Sequence, residues 1–237
     1  MKSIDILREW VETSRRIVFF GGAGVSTESG IPDFRSVDGL YNQQYKYPPE
    51  VILSHSFFMR NTAEFFDFYR KKLLPGDARP NAAHIKLAQW EREGRLSAVV
   101  TQNIDGLHQQ AGSKKVYELH GSVHRNYCMR CGKFHSLEYV RDAAGVPRCQ
   151  CGGIVKPDVV LYEENLDSDV IDGALSAIAG ADMLIIGGTS LSVYPAASFV
   201  EMYRGTRLVL INRSETPRDH CANLIFREPI GALMEQL

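Results

Sequence analysis

The chain has 237 residues, of which 44% are hydrophobic and 23% are charged, so it can bury a sizeable core. Its formal net charge of −1 gives no general attraction to nucleic acid or to an anionic membrane, and we expect neither as a partner. No apolar run approaches the length of a membrane span, and the N-terminal pattern is that of an amphipathic helix. We therefore expect a cytoplasmic protein.

Short apolar runs alternate with helical patterns along the chain. The runs lie at 17–20, 96–101, 158–161, 183–186, 208–211 and 224–226. This alternation predicts an α/β fold with a Rossmann-like, doubly wound parallel sheet. Two interruptions predict a small inserted lobe. The predicted boundaries are 1–36, 81–121 and 157–237 for the Rossmann-like domain, and 37–80 and 122–156 for the small lobe.

The first apolar run stops at a cluster of glycines and hydroxyls. Gly22 and Gly24 would let the backbone approach a ligand, and Ser26 and Thr27 lie where a helix would begin, which suits a pyrophosphate. Thr27 occupies the place of the third glycine of G-x-G-x-x-G, and no acidic residue closes a second strand about 20 residues later. A hydride-transfer dehydrogenase is therefore disfavoured. Taken alone, the turn is equally a structural connection.

Polar residues also follow the second apolar run. Gln102, Asn103 and Asp105 offer two amides and a carboxylate, which suit a carboxamide and a ribose. Ile104 alternates with them and can cover an apolar ring face. The alternative is a polar turn that uses Asn and Asp for local backbone hydrogen bonds.

Two later runs end in similar groups. Gly188, Thr189 and Ser190 follow the run at 183–186, and Asn212 follows the run at 208–211. Ligands of open α/β sheets bind beyond the carboxyl ends of the strands. Three strand ends with this chemistry predict a nucleotide site.

His120 lies next to Gly121, shortly before the segment that contains most of the cysteines. This position is the predicted junction of the two lobes. Histidine transfers protons near neutral pH, so His120 is the leading candidate for a general base in the cleft. Without that context, a single histidine is more often a structural or surface residue.

Four cysteines form two close pairs, one C-x-x-C and one C-x-C. They are Cys128, Cys131, Cys149 and Cys151. Four thiolates give Zn²⁺ a closed tetrahedral shell, so we expect one structural zinc ion that braces the small lobe. Because the second pair is unusually tight, it stays open whether His124 or His135 replaces one thiolate.

Several of these motifs occur together in an order shown by one protein family. They are GAGVSTESGIPDFRS, TQNIDGLH, the HGS at 120–122, the paired cysteines, KPDVV, GTSLSVYPA and INRSE. The chain thus resembles the sirtuins, NAD-dependent protein-lysine deacylases, and most of all their bacterial members. The resemblance implies a cleft in which NAD and an acyl-lysine peptide meet. It further implies transfer of the acetyl group from lysine to ADP-ribose, with release of nicotinamide and O-acetyl-ADP-ribose.

The resemblance also implies roles for individual residues. The residues expected to bind NAD are Gly22, Ala23, Gly24, Thr27, Phe34, Arg35, Gln102, Asn103, Ile104, Asp105, Gly188, Thr189, Ser190, Asn212 and Ile230. Those expected to bind the substrate peptide as an added strand are Val159, Val160 and Val193. His120 is expected to be the catalytic base.

The acyl preference is a separate expectation. Sirtuins that prefer succinyl or malonyl lysine carry a Tyr and an Arg three residues apart, and Phe66 and Tyr69 align with these positions here. An acetyl or another uncharged acyl group is therefore favoured, although Arg70 is adjacent. These aromatic residues belong either to the core or to an acyl channel. The segment Tyr162-Glu163-Glu164 departs from the Phe-Gly-Glu that relatives commonly have.

Three alternative functions stay open at this point. One is a protein mono-ADP-ribosyltransferase that uses the same NAD site. Another is a deacylase for longer or acidic acyl groups. The third is a non-catalytic NAD-binding module with a zinc ribbon for partner binding.

Overall fold

The computed structural model describes residues 2–33, 39 and 46–237. The strands are β1 Ile17–Gly21, β2 Leu96–Thr101, β3 Val116–Glu118, β4 Gly121–Cys128, β5 Phe134–His135, β6 Val155–Val159, β7 Met183–Gly187, β8 Leu208–Ile211 and β9 Leu224–Phe226. The α-helices are α1 Ser3–Thr13, α2 Pro49–Ile52, α3 His55–Arg60, α4 Thr62–Lys72, α5 Ala82–Arg92, α6 Leu107–Gln110, α7 Leu137–Arg141, α8 Ser168–Ala179 and α9 Ile230–Met234.

The larger sheet has six parallel strands in the order β3-β2-β1-β7-β8-β9. The three strands that come first in the chain lie on one side of the centre and the later three on the other. This is the doubly wound, Rossmann-like arrangement, and it confirms the predicted fold class. The strand order reverses between β1 and β7, where Gly21 pairs with Gly187. In such sheets the reversal opens a crevice at the carboxyl ends of the central strands.

The central strands are continuous apolar runs because helices cover both of their faces. Phe19 belongs to a core cluster with residues of α1, α5 and α9. Phe20 points to the other face and packs in a cluster with residues of α8 and of the 3₁₀ segment Ala196–Met202. Among the described residues, no helix combines the length and the apolar character needed to cross a membrane.

A second, antiparallel sheet has the order β5-β4-β6. Its buried side chains share one apolar cluster with the aromatic residues of α3 and α4. The two chain interruptions predicted from the sequence therefore pack against each other. The packing places the β4 and β6 strands beside the carboxyl end of the larger sheet, because Leu119, just before β4, donates to the carbonyl of Thr101 at the end of β2.

One predicted strand was wrong. We expected 158–161 to join the parallel sheet, but the strand is Val155–Val159 and pairs antiparallel with β4. Its buried residues alternate with half-buried ones, as in a sheet with one covered face. The sixth strand of the parallel sheet is instead β3, whose three residues are all half-buried. So short a strand has no apolar run to reveal it.

Candidate functional site

A crevice of about 1200 Å³ lies over the point where the strand order reverses. Its wall includes most of the candidate residues, namely Ala23, Gly24, Thr27, Gln102, Asn103, Ile104, Asp105, His120, Val159, Val160, Gly188, Thr189, Ser190, Val193, Asn212 and Ile230. The fold therefore brings together residues from four strand ends of the larger sheet and from the end of β6. Phe34 and Arg35 lie outside the described residues.

The two glycine-containing turns at the reversal point pack directly on each other. Gly24 N donates to the carbonyl of Gly188 at 2.8 Å, and a Cβ on Gly24 would lie 2.8 Å from Gly188 Cα. Gly188 has a φ of +57°, where a side chain is strained as well as crowded. Gly22 is absent from the crevice wall because Thr189 and Gly188 cover it. Close contact between the two turns therefore favours glycine at positions 24 and 188, and contact with a ligand stays the prediction for Gly22, Gly24 and Gly188.

Gln102, directly after β2, connects this strand end to the ends of β1 and β7. Its backbone N–H donates to Gly21 O at 2.9 Å, and its side-chain Oε1 accepts from the Thr189 hydroxyl at 3.1 Å. The Nε2 atom of Gln102 is buried and has no partner among the described residues. A buried amide donor without a protein acceptor, in the wall of a crevice, is suited to a hydrogen bond with a ligand.

A buried serine joins two candidate residues of the segment after β2. Ser26 Oγ donates to Asp105 Oδ2 at 2.7 Å and accepts from Asn103 Nδ2 at 3.0 Å. The other oxygen of Asp105 accepts from Leu107 N at 2.9 Å, and Asn103 N donates to Thr101 Oγ1 at 3.0 Å. These bonds fix both side chains before any ligand binds. Ser26 was not among the predicted site residues. Its hydroxyl directly after the glycine turn is the sequence signal that could have identified it.

His120 lies half-buried in the crevice wall between β3 and β4. Its Nδ1 is 3.0 Å from the carbonyl oxygen of Gln102. A carbonyl only accepts, so Nδ1 carries the proton and Nε2 keeps its lone pair. Burial lowers the pKa of His120, and the hydrogen bond to Gln102 offsets only part of that effect. The imidazole is therefore neutral near pH 7, which is the form that acts as a base.

The edge formed by Val159, Val160 and Leu161 is held by a half-buried ion pair. Lys156 Nζ donates to Val159 O at 3.1 Å and to Glu164 Oε2 at 3.0 Å, and Leu161 N donates to the same Glu164 oxygen at 2.9 Å. Burial raises the pKa of Glu164, but the hydrogen bonds outweigh that effect and hold the pKa below its usual value. The supporting role of these two charged residues was not predicted from the sequence.

Glu163 lies at the position where the resemblance described above implies a glycine. Its φ is +75°, a left-handed conformation that favours glycine and costs other residues about 1–2 kcal/mol. The Glu163 carboxylate accepts a hydrogen bond from Ser56 N at 2.9 Å, at the start of α3. His55 N also donates to Tyr162 O at 2.9 Å. Helix α3 is therefore attached to this edge, and the hydrogen bond to Ser56 N offsets part of the backbone strain.

The aromatic segment of α4 belongs to the core. Phe66 and Tyr69 are both fully buried, and neither is in the crevice wall. Arg70 donates to the carbonyls of Val140 and Gly145. The sequence left open whether these aromatic residues belong to the core or to an acyl channel, and their burial places Phe66 and Tyr69 in the core.

The four cysteine sulfurs form one cluster, with all ligand atoms within 4.8 Å of one another. Cys151 Sγ lies 3.4 Å from Cys128 Sγ and 3.5 Å from Cys131 Sγ, and Cys131 Sγ lies 3.8 Å from Cys149 Sγ. A tetrahedral zinc–thiolate shell requires about 3.8 Å between sulfurs, so these residues fit a zinc ion. The tight C-x-C pair therefore supplies two of the four sulfurs.

Neither candidate histidine joins this cluster. His124 Nε2 donates to the carbonyl of Asp105 at 3.0 Å, and the His135 ring packs 4.2 Å from the ring of Tyr139. The grouping of metal ligands found in the described part of the chain consists of the cysteines alone. A closed shell of four thiolates leaves no open position for water, so the ion would brace the lobe without taking part in chemistry.

Comparison with known proteins gives consistent matches. The model of the Sir2 family matches residues 22–195. A protein of Clostridium acetobutylicum called NAD-dependent protein deacetylase is 58% identical over 99% of this chain and 98% of its own length. A protein of Cutibacterium acnes with the same name is 57% identical over 95% of this chain and 93% of its own.

Solved structures match over the whole chain as well. One is Sir2 with a p53 peptide and NAD⁺, which has a TM-score of 0.86 and 39% sequence identity. The match covers 100% of this chain and 97% of the chain in that structure. Another is Sir2 bound to acetylated peptide, with a TM-score of 0.87, 38% identity and the same coverage.

Proposed function

The chain belongs to the Sir2 family, and we propose from this membership and from the crevice that it is an NAD-dependent protein-lysine deacetylase. The observation that carries the proposal is that His120, Asn103 and Asp105 share one crevice at the point where the strand order reverses. A base and a fixed amide–carboxylate pair in such a crevice suit a reaction on a bound dinucleotide.

The NAD site is proposed along the carboxyl ends of the larger sheet. Gln102, Asn103, Ile104 and Asp105 would hold the nicotinamide end, and the unpartnered Nε2 of Gln102 supports this assignment. Ala23, Gly24 and Thr27, with Phe34 and Arg35, would hold the phosphates and the adjoining ribose. The residues proposed for the adenosine end are Gly188, Thr189, Ser190, Asn212 and Ile230.

The chemistry that bound NAD supplies is a cleavable bond between nicotinamide and ribose, with the ADP-ribosyl group as acceptor of the acetyl group. The protein's own contribution is orientation and proton transfer. Asn103 and Asp105 would orient the carboxamide, because Ser26 already fixes both side chains. His120 would accept a proton at Nε2 from a ribose hydroxyl, since its Nδ1 proton is held by Gln102 O.

The substrate is an acetyl-lysine side chain in a peptide or protein. Val159 and Val160 on one wall and Val193 on the other would pair with the peptide as an added strand. Val160 N is already bonded to His120 O at 3.0 Å, which sets the distance between the peptide edge and the proposed base. The Sir2 structures with a p53 peptide and with an acetylated peptide support this class of substrate.

The small lobe would serve as a wall of the crevice, braced by one structural zinc ion. We propose the division into 1–36, 81–121 and 157–237 against 37–80 and 122–156. The apolar cluster shared by the two segments of the small lobe supports it, and Val159 and Leu161 extend that cluster beyond residue 156. We place the reaction in the cytoplasm, because a site of four free thiols needs a reducing compartment.

The test is mass spectrometry of an acetyl-lysine peptide incubated with the protein and NAD. Loss of the acetyl group that requires NAD, with nicotinamide released in step, is the expected result. Addition of ADP-ribose to the peptide would identify a mono-ADP-ribosyltransferase instead. Binding of NAD with no change in either compound would identify a non-catalytic module.

A further inference from the structure

Two buried histidines lie behind the crevice and take no part in the reaction described above. His84 is on the first turn of α5 and His108 is on α6, and their exposed fractions are 0% and 1%. The ring centroids are 4.7 Å apart, with an angle of 57° between the rings. His108 also packs against Phe19 of the central strand, at 6.1 Å between centroids.

The hydrogen bonds of these two rings are incomplete. Asn81 N donates to His84 Nδ1 at 3.3 Å, so His84 carries its proton on Nε2. That Nε2 and both nitrogens of His108 have no partner among the described residues, and neither has the nearby hydroxyl of Ser113. Buried polar groups that lack a protein partner are usually hydrogen-bonded to an ordered water molecule.

The α5 end of this histidine pair is attached to the turn after β1. Asn81 Nδ2 donates to Val25 O at 2.8 Å and to Ser29 Oγ at 3.0 Å. These two residues flank Ser26, whose hydroxyl donates to Asp105. The first turn of α5 therefore sets the position of the serine that fixes Asp105.

The α6 end of the pair is attached to Asp105 itself. Asp105 Oδ1 accepts from Leu107 N at 2.9 Å, which caps the short helix that carries His108. Asp105 is thus connected to both histidines. One connection runs through Ser26 and the turn after β1 to α5, which carries His84, and the other runs through Leu107 N to α6, which carries His108. The two imidazoles contact each other and link the helices directly. Displacement of either imidazole would therefore disturb the hydrogen bonds of Asp105 to Ser26 Oγ and to Leu107 N.

We propose that His84 and His108 are positioning residues for Asp105, and that His84 Nε2 and one ring nitrogen of His108 bind one internal water molecule. The effect of the two histidines on nicotinamide binding rests on the proposed function. The water site is independent of the proposed function. Burial, the larger effect, lowers the pKa of His84 to about 4, and the charge of Asp105 opposes that effect. His84 is thus a neutral donor within electrostatic reach of this carboxylate.

A matched pair of variants separates this role from simple packing. In His84→Asn the amide oxygen replaces the Nδ1 acceptor of the Asn81 N–H, but the Nε2 donor is lost. In His84→Gln the amide nitrogen replaces that donor. We expect the inhibition constant of nicotinamide, as a product, to rise about tenfold in His84→Asn and to stay within about twofold of the wild type in His84→Gln. The peptide KM should change in neither variant.

Calorimetry and crystallography supply readouts that do not depend on turnover. NAD affinity should fall in His84→Asn and be restored in His84→Gln. Electron density of the wild-type protein should show a water molecule within hydrogen-bond distance of His84 Nε2. The proposal is overturned if that density is absent, or if both variants match the wild type in nicotinamide inhibition. A wild-type protein that fails to deacetylate any peptide would refute the proposed function, and the density would still test the water site.

Discussion

The Nδ1–H of His120 donates to the carbonyl oxygen of Gln102, at 3.0 Å between nitrogen and oxygen. This one bond joins the proposed base to the segment proposed to hold nicotinamide. It fixes the tautomer of His120, because Nε2 alone is left with a lone pair. It also fixes the ring orientation before a ligand binds, so the position of the base depends on the backbone and not on a flexible side chain.

The pH dependence of the reaction should report the state of His120. Burial lowers the pKa of this imidazole from its ordinary value of 6.5. The neutral form is the active one, so kcat/KM should be level near pH 7 and fall as the pH drops through the lowered pKa. A steady-state profile with an acid limb centred clearly above pH 6.5 would contradict this assignment. The residual activity of His120→Ala should lack the limb.

Lys156→Met should weaken peptide binding without affecting NAD. The substitution removes the donor to Val159 O and one of the two side-chain partners of Glu164, which keeps its contact with His55 Nδ1 at 2.8 Å, so the peptide edge loses a support. We expect the KM for an acetylated peptide to rise about tenfold, and the KM for NAD to stay unchanged. Lys133→Met, at an exposed lysine of the same lobe, is the control. Equal changes in both KM values would point to general damage of the fold.

Acyl preference follows from the packing of α4. Phe66 and Tyr69 are fully buried, and Arg70 is bonded to two backbone carbonyls, so the two positions at which the resemblance implies the Tyr and Arg of succinyl- and malonyl-preferring sirtuins offer no cation here. We expect acetyl and propionyl peptides to be deacylated much faster than a succinyl peptide of the same sequence. Mass spectrometry of the three peptides measures the order. A succinyl peptide that reacts fastest would show that another cation faces the acyl group.

Removal of zinc should destabilise the small lobe. Cys128 and Cys149 are buried in the apolar cluster that contains the α4 aromatics, so an unfilled thiolate shell would disturb that cluster. Cys149→Ser should lower bound zinc, measured by metal analysis, and lower the melting temperature. Cys221→Ser, at a cysteine outside the cluster, should change neither quantity. Full zinc content with an intact fold in Cys149→Ser would remove Cys149 from the ligand set.

The sequence predicts the larger sheet well because its strands are buried on both faces. Residues 17–20 and 183–186 read as unbroken apolar runs for that reason, and the polar groups after them mark the crevice. Strand β3 is too short and too exposed for such a signal. The roles of Lys156, Glu164 and Ser26 were not predicted because they depend on partners that only the fold brings near. Gly24 and Gly188 were both predicted as site residues. Their contact with each other could not be predicted, because the two turns are far apart in the sequence.

The most direct test of the central claim is the stoichiometry of the products. Wild-type protein, NAD and an acetyl-lysine peptide should give equal amounts of free nicotinamide, deacetylated peptide and O-acetyl-ADP-ribose. In His120→Ala all three should form at least about a hundredfold more slowly, because the proposed proton acceptor is lost. Deacetylation at an undiminished rate in that variant, or nicotinamide release with ADP-ribose attached to the peptide, would contradict the account.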